Sequence, residues 1–263
     1  MFRNVTTVLA ALLIAVAPSA HAQSARLKFE VASVKRNNSG SRASSCCAGP
    51  GRLVGTNVTP GMLITVAYKV QDFQVVGAPA WVNSDRYDIE AKADDSVASQ
   101  GNSNTTGPML QSLLEDRFKL VVRRETRELP IYELTVAKSG SKLKAEGCNT
   151  RDPNSPPSRQ RPSDCGFSVM DNNMIRATHI DMDRFVPMLT FWVRRTVVDK
   201  TGFKGTFDVD LKWNPDEAAA TPGTDTAPSI FTAIQEQLGL KLESSKGPVE
   251  VLVIDSVHRP SEN

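Results

Sequence analysis

Two short stretches of the chain, far apart in the sequence, share one alternating pattern of apolar and acidic residues. The tetrapeptide YDIE begins at Tyr87, and FDVD begins 120 residues later at Phe207. Alternation with a period of two is typical of a strand with one buried face. We therefore expect Tyr87 and Phe207 to face a hydrophobic core, with Asp88 and Asp208 on the opposite face of each strand.

A helical pattern repeats at the same offset. Apolar residues spaced by four begin at Leu110 and recur 120 residues later, beginning at Ile230. This spacing places side chains on one face of a helix. The two patterns predict amphipathic helices in equivalent places of the two halves.

Each predicted helix leads into a longer stretch of apolar and polar residues. The first reads FKLVVRRETRELPIYELTVA and the second reads LGLKLESSKGPVEVLVID. Charged residues interrupt both stretches, and Pro130 and Pro248 follow the interruption. Because Pro is tolerated at the first residue of a strand, we predict two strands joined by a polar turn in each stretch.

The match between the halves continues upstream with an offset of 122, which sets Val58 against Ile180. Both segments predict a strand that runs into a helix. Thr59 followed by Pro60 is a typical helix start. The Thr oxygen can accept backbone N–H groups, and Pro at the first position has no N–H to leave unsatisfied.

The second copy of this helix is predicted to begin at Asp181 or Asp183, either of which can supply the capping oxygen. Pro187 lies inside the predicted helix, where it removes a hydrogen bond and clashes with the preceding turn. We therefore expect a kinked or shortened helix.

These patterns predict an α+β fold made by tandem duplication of a strand-strand-helix-strand-strand-helix-strand-strand unit, arranged as two pseudo-symmetric lobes. The predicted domains are a signal peptide at 1–22, a first repeat at 23–144, a Pro-rich linker at 145–164 and a second repeat at 165–263. The elements of the first copy are predicted near 27–35, 51–58, 60–69, 73–77, 86–92, 108–117, 118–125 and 130–137. Those of the second are predicted near 166–170, 173–180, 182–193, 196–199, 205–213, 228–238, 239–244 and 248–257.

The first 22 residues have the features of a cleaved secretory signal. Arg3 supplies the positive charge, and the apolar stretch Val5–Ala17 is too short to span a bilayer. Ala20–Ala22 forms a small-x-small cleavage site before Gln23. A short N-terminal core helix is the alternative. We expect a secreted or periplasmic protein.

The four cysteines favour disulfides, because an exported chain meets an oxidising compartment. Cys148 and Cys165 bracket a polar, Pro-rich loop, and a bridge between them is the preferred pairing. Cys46 and Cys47 are adjacent, so a bond between them would be strained. Pairing of either with Cys148 or Cys165 remains the other possibility, and a zinc site is a rival interpretation that lacks the usual C-x₂-C spacing.

The formal net charge of +2 at pH 7 argues against nucleic acid as an obligatory partner. No segment after the signal is apolar enough to predict a membrane span. Arg123, Arg124 and Arg127 form a short basic cluster, and Arg194 and Arg195 form another. Such clusters are most often a solvated face.

Residues that could carry chemistry are few. The chain has no G-x-S-x-G, H-E-x-x-H, Walker A or G-x-G-x-x-G motif. His179, Asp181 and Asp183 could place three metal ligands on one face of a strand. Helix capping explains the two aspartates without a metal, so we assign no catalytic residue, no metal site and no cofactor.

Two further groups have a chemical and a structural interpretation. Three carboxylates near the first repeated strand could serve glycoside hydrolysis or form a solvated strand face: Asp85, Asp88 and Glu90. Three tryptophans could form a sugar-stacking platform or pack in the core: Trp81, Trp192 and Trp213.

Six stretches carry a family resemblance. They read FEVASVKRN, NVTPGMLITVAYKV, PAWVNSDRYDIEAKA, LLEDRFKLVVRRETRELPIYELTVAKSG, VVDKTGFKGTFDVDL and FTAIQEQLGLKLESSKGPVEVLVIDSVHRPSEN. Together they resemble the soil-associated family of exported bacterial proteins that carry a domain of unknown function, abundant in acidobacteria-like soil bacteria. The resemblance implies export and a shared fold without an assigned activity. Some relatives join a similar domain to a membrane metallopeptidase of the antibiotic-sensor type, which implies a sensing role.

The segment from Ile180 through Val209 is also similar to the small N-terminal domains of secretins and TonB-dependent receptors, in which a strand, a short helix and a VVD-containing strand recur. That resemblance implies binding of partner proteins by addition to a sheet edge.

Two functions remain open from the sequence. The first is an exported, non-catalytic binding or protein-interaction module whose partner is an envelope protein or a small ligand. The alternative is an exported hydrolase with an unrecognised active site, which would require polar residues to converge in a pocket.

Overall fold

The structure, a computed structural model, describes residues 27–46, 51–94, 106–144, 166, 168–171, 173–214 and 228–260. Within these residues the chain is a mixed α+β fold. The helices are α1 (Pro60–Tyr68), α2 (Trp81–Ser84), α3 (Thr106–Phe118), α4 (Met182–Val193) and α5 (Ile230–Leu238), with a 3-10 turn at Asp72–Gln74. The strands are β1 (Phe29–Arg36), β2 (Ser45–Cys46), β3 (Arg52–Val58), β4 (Val75–Val76), β5 (Tyr87–Ala93), β6 (Val121–Val136), β7 (Ser168–Asp171), β8 (Met174–Ile180), β9 (Val197–Asp199), β10 (Phe207–Lys212) and β11 (Leu240–Ser256).

The N-terminal sheet contains four antiparallel strands in the order β1-β5-β3-β2. Helices α1 and α3 share a hydrophobic core with it. The predicted start of α1 is confirmed, because the Thr59 hydroxyl accepts the Met62 N–H and Pro60 is the first helical residue. Local sequence therefore sets where this helix begins.

The C-terminal sheet contains three antiparallel strands in the order β10-β8-β7. Helix α4 begins after Asp181, whose carboxylate accepts the Arg184 N–H, so Asp181 rather than Asp183 is the cap. Pro187 lies inside α4 without shortening it. Both Pro187 and Asp183, whose carbonyl loses the hydrogen bond, are exposed, so water can satisfy that carbonyl.

β1 and β7 are not equivalent, although the predicted order made each the first strand of its copy. β1 pairs with β5, whereas β7 pairs with β8. Only residues 172–173 separate β7 from β8, and so short a connection leaves the two strands as antiparallel neighbours. The longer segment between β1 and β3 lets β1 reach the far edge of its sheet.

The central sheet joins the two halves of the chain in the order β4-β11-β6-β9. β6 and β11 pair antiparallel along their whole lengths, from Leu240 opposite Val136 to Ser256 opposite Val121. β4 runs parallel to β11, and β9 runs parallel to β6. The prediction of two strands and a turn in each stretch is therefore wrong.

The positions of the two prolines explain why these long strands are not broken. The Tyr132 N–H donates outward to the Thr196 carbonyl, so the nitrogens of Pro130 and Glu128 also point away from β11. Pro248 lies directly opposite Glu128 and shares its orientation. Neither proline interrupts the ladder between β6 and β11, which is the condition for Pro within a strand.

Each half of the chain contributes to the core of the other. The core of the N-terminal sheet includes Leu252 and Ile254 from β11. The core of the C-terminal sheet includes Leu134 from β6, with Tyr132 packed against it. Both outer sheets therefore share a hydrophobic core with the central sheet.

Candidate functional site

The repeated aspartates hold the backbone just before a helix. Asp88 Oδ1 accepts the Asn57 N–H at 2.9 Å, and Asp208 Oδ1 accepts the His179 N–H at 2.8 Å. Asn57 and His179 have φ values of 56° and 49°, in the left-handed region that non-glycine residues adopt at a cost. The two carboxylates therefore stabilise strained positions, a role that strand alternation alone did not reveal.

The aromatic residues beside these aspartates are buried as predicted. Tyr87 is 3% exposed and packs edge-on against Phe118, and Phe207 is fully buried against Phe185. Burial raises the pKa of the Tyr87 hydroxyl, and the nearby Asp85 carboxylate adds to the rise. The repeated strand pattern is thus a core position followed by a backbone-binding carboxylate.

His179, Asp181 and Asp183 have different surroundings in the structure. His179 Nδ1 lies 3.6 Å from Asp208 Oδ1, while Asp181 caps α4 and Asp183 is exposed on its first turn. Within the described ranges, no three His, Cys, Asp or Glu side chains form a group that could hold a metal ion. Capping accounts for Asp181 directly.

The three candidate carboxylates do not act as one group. The Asp85 carboxylate, which is 11% exposed, accepts a 2.8 Å bond from Arg259 Nε and lies 3.7 Å from the Arg36 guanidinium. Asp88 binds backbone at Asn57, and Glu90 is exposed. Asp85 ties the end of the chain to the N-terminal sheet.

The three tryptophans lie in two different cores. Trp192 and Trp213 meet edge-on with ring centroids 5.2 Å apart in the C-terminal core. Trp81 packs on the N-terminal core, where the Arg259 guanidinium lies 5.0 Å from its ring centroid. A shared stacking platform is therefore not formed, and packing explains the positions of these residues.

Cys46 ends β2 and takes part in a disulfide. The other members of the predicted set, Cys47, Cys148 and Cys165, lie outside the described residues. The structure therefore does not test the preferred pairing of Cys148 with Cys165 directly. A disulfide at Cys46 favours the other possibility, a bond from Cys46 to Cys148 or Cys165, because a bond to the adjacent Cys47 would be strained.

The basic cluster on β6 is surrounded by acids. Glu125 accepts hydrogen bonds from Arg127 and Arg123, and together these lower the pKa of Glu125 to about 2. Arg123 also contacts Asp255, and Arg124 pairs with Glu250. Similarly, Arg194 at the end of α4 pairs with Asp72.

The outer edge of β10 differs from that of its counterpart β5. β5 lies between β1 and β3, whereas no strand among the described residues pairs with the outer side of β10. The Trp213 N–H donates toward β8, to the Asn173 carbonyl. By alternation, the backbone groups of Lys212, Asp210 and Asp208 point away from β8. We call the backbone of Asp208 and Asp210 on this side the open edge.

One side chain closes the end of the open edge. The Lys212 N–H donates to Gln237 Oε1 at 3.0 Å, and Gln237 Nε2 donates to the Lys212 carbonyl at 2.8 Å. A side-chain amide thus makes the pair of hydrogen bonds that a neighbouring strand would make. In the N-terminal sheet the equivalent residue, Lys92, lies opposite Val31 of β1.

Helix α3 shows how a strand is held at the equivalent edge of β5. The Ser112 hydroxyl donates to the Leu27 carbonyl, Arg117 donates to the Ala32 carbonyl, and Lys28 pairs with Asp116, each at 2.8 Å. These contacts hold β1 and the two residues before it against the helix.

Helix α5 carries related side chains 120 residues later, beside the open edge. They are Thr232, Glu236 and Gln237. Thr232 and Glu236 are exposed, and Gln237 binds Lys212. This site was not predicted from the sequence, because β1 was equated with β7, although the repeat offset of 120 residues sets α3 against α5.

The chain matches the model of a protein family. The family model described as a protein of unknown function (DUF3738) matches residues 61–257, most of the chain. The chain belongs to the DUF3738 family. The matched residues of this DUF3738 protein include α1, α3, α5, β10 and the whole central sheet, while β1 to β3 precede them.

No curated protein matches this DUF3738 protein, and no solved structure matches it. None of the helices in the described part of the chain combines the length and the apolar character needed to cross a membrane.

Proposed function

We propose that this chain is an exported, non-catalytic module that binds an extended segment of an envelope protein at the open edge of β10. The observation that carries the proposal is the contrast between β5, which has strands on both sides, and β10, which has a described strand on one side only. Strand addition supplies affinity through main-chain hydrogen bonds and selectivity through alternate side chains.

The charges around the open edge support selective binding. Asp208 and Asp210 both lie on β10, and Glu236 lies on the neighbouring helix. Edge strands with charged side chains resist indiscriminate pairing. Asp210 is paired with Arg176 and lies near Lys212, so the preference for a segment that brings basic residues rests on Asp208 and Glu236. Like charges placed opposite each other destabilise strand pairs.

A duplication is part of the same proposal, with halves that form two pseudo-symmetric lobes. Its support is that β3 pairs with β5 as β8 pairs with β10, each through a register shift. The long ladder also has its midpoint near Leu129 and Gly247, where a two-fold axis would pass. An experimental structure in which residues 53–92 did not superpose on 175–213 would contradict it.

Export rests on the signal-like sequence of residues 1–22 and agrees with the disulfide at Cys46, since disulfides persist in oxidising compartments. Sequencing the N-terminus of the exported protein should give Gln23 as its first residue. Exported material that began at Met1 would overturn this part of the proposal.

The binding function is tested with two variants of one edge residue. Asp210→Pro removes the outward N–H of the open edge, whereas Asp210→Ala keeps it, and both lose the ion pair with Arg176. Tagged protein of each type is used to capture partners from an envelope extract, and a captured partner is then purified and titrated directly. We expect the Ala variant to bind it and the Pro variant to lose at least tenfold in affinity.

Equal binding of a purified partner by both variants would place the interaction elsewhere and overturn the proposal. Far-ultraviolet circular dichroism and urea unfolding check that Asp210→Pro retains its fold, since Pro is tolerated at edge positions whose N–H faces outward.

A further inference from the structure

We propose that the segment bound at the open edge has the pattern of the chain's own β1: a basic residue before the strand, alternating apolar residues, and a second basic residue near its end. This inference rests on the proposed function and adds the chemistry of the partner. It follows from matching each contact that holds β1 with the side chains that α5 presents at the same positions.

The way β1 is held defines the contacts a strand needs at such an edge. β1 runs antiparallel to β5, with Ser33 opposite Glu90 and Lys35 opposite Asp88. The Asn37 N–H donates to the Arg86 carbonyl, so the amides of Lys35 and Ser33 also face β5. Val34 points into the core at 2% exposed.

Each contact from α3 to β1 has a chemical counterpart on α5. A hydroxyl at Ser112 becomes Thr232, which can donate to a backbone carbonyl as Ser112 does to Leu27. A carboxylate at Asp116 becomes Glu236, which can pair with a basic residue as Asp116 does with Lys28. Because Thr232 and Glu236 are exposed, a strand arriving at the open edge can reach both.

Gln237 supplies the third counterpart. Its place on α5 corresponds to Arg117, whose guanidinium donates to the carbonyl of Ala32 in β1. In the structure the Gln237 amide instead makes hydrogen bonds with both the N–H and the carbonyl of Lys212. When a strand arrives, Lys212 can pair with it and the Gln237 amide can turn to a carbonyl of the strand, so no hydrogen bond is lost in the exchange.

An acidic side chain on β10 determines where the second basic residue of the bound strand lies. Lys35 of β1 lies opposite Asp88, and Asp208 stands 120 residues after Asp88. A strand in the same register at the open edge therefore places its second basic residue opposite Asp208, while its first reaches Glu236. Apolar side chains between them lie over the core side of the edge, as Val34 does.

The test uses a synthetic peptide with the sequence of residues 27–36, LKFEVASVKR, titrated into the full-length mature chain by calorimetry. We expect saturable binding with one peptide per chain. Methylating the Ser33 amide nitrogen should abolish binding because that N–H faces the edge strand. Methylating the Val34 nitrogen, which faces away, should leave binding within about twofold.

A charge exchange identifies where the peptide binds. Glu236→Lys should weaken binding about tenfold, and a peptide with Glu in place of Lys28 should regain affinity for that variant. Asp255→Lys is the control, because it makes the same change in net charge at an exposed site on β11 that pairs with Arg123. Binding that responded to neither Glu236→Lys nor Asp210→Pro would reflect exchange with the chain's own β1.

The outcomes separate this inference from the proposed function. If the peptide fails to bind but a purified partner still distinguishes Asp210→Pro from Asp210→Ala, the inference is wrong and the edge takes a different strand. If the peptide binds and Glu236→Lys has no effect beyond that of Asp255→Lys, the basic residue is not recognised by Glu236, and the pattern proposed here is again wrong.

Discussion

The N-terminal and C-terminal sheets each pack against helices but differ at one edge. In the N-terminal sheet, β1 covers β5 and is held by three contacts from α3. In the C-terminal sheet, β10 ends the described sheet, and one glutamine side chain closes its last position. A side-chain amide can satisfy one residue of a strand, whereas a whole strand is needed to satisfy the rest.

The comparison separates what the two sheets share from what distinguishes them. They share a buried aromatic residue, a carboxylate that binds a left-handed residue, and a helix that begins three residues after that left-handed residue. They differ in the strand that precedes this unit. The shared features define how each sheet packs. The candidate interaction surface is the edge of β10, where the described residues supply no counterpart of β1.

The largest expected effect tests the shared core. Tyr87→Ala and Phe207→Ala should each lower the free energy of unfolding by about 3–5 kcal/mol, because each empties a large buried aromatic site. Urea unfolding followed by circular dichroism measures both. Val31→Ala, at a side chain 64% exposed, is the control and should change stability little. A small loss for Phe207→Ala alone would mean that the C-terminal core is not the equal of the N-terminal one.

The next effect concerns β2, which contains Cys46. If Cys148 paired with Cys165, the adjacent Cys47 would be the one partner left for Cys46, and a bond between neighbouring cysteines is strained. We therefore expect non-reducing mass mapping to join Cys46 to Cys148 or Cys165. Cys46→Ser should then lower stability by about 2–4 kcal/mol. A peptide containing Cys148 bonded to Cys165 in the mature protein would overturn this expectation and restore the pairing predicted from sequence.

A smaller effect distinguishes the two backbone-binding aspartates. Asp88 accepts from both Asn57 N–H and Asn37 Nδ2, whereas Asp208 is exposed and binds the His179 N–H. We expect Asp88→Ala to cost roughly 1–3 kcal/mol and Asp208→Ala about 1 kcal/mol or less. Urea unfolding is again the measurement. Equal costs would show that the second hydrogen bond contributes nothing.

Glu90→Ala is the matched control for Asp88→Ala, since Glu90 lies two residues along the same face of β5 and is exposed. A loss as large as that of Asp88→Ala would mean that the strand face, rather than the bond to Asn57, is responsible.

The smallest effect lies in the central sheet that both halves share. Hydrogen bonds from Arg127 and Arg123 lower the pKa of Glu125 from 4.5 to about 2. A depressed carboxyl pKa stabilises the folded state above the unfolded pKa, and this contribution is lost as pH falls from about 4.5 through about 2. We expect Glu125→Gln to be slightly less stable than the unaltered protein at pH 7, with a difference that shrinks below pH 4.5 and vanishes only as pH falls below 2. A difference that did not shrink on acidification would contradict this assignment.

Much of the local structure follows from the sequence. The caps at Thr59 and Asp181 and the buried faces of Tyr87 and Phe207 come from interactions within a few residues, so local chemistry predicts them. The mixed α+β composition follows from the same periodicities. The role of the repeated aspartates was not predictable in this way, because each binds a residue on a neighbouring strand.

By itself, therefore, the sequence determined the positions of most helices and strands and the recurrence of one pattern at an offset of 120 residues. Only the tertiary structure decided that Pro130 and Pro248 lie within long continuous strands. Each proline nitrogen points away from the strand with which it pairs, so the missing N–H removes no hydrogen bond between β6 and β11. The tertiary structure also decided that β1 covers β5 while the outer side of β10 has no described strand. Whether a strand lies at the edge or at the centre of a sheet depends on which strands pair with it. Strand pairing in turn depends on contacts between residues far apart in the chain.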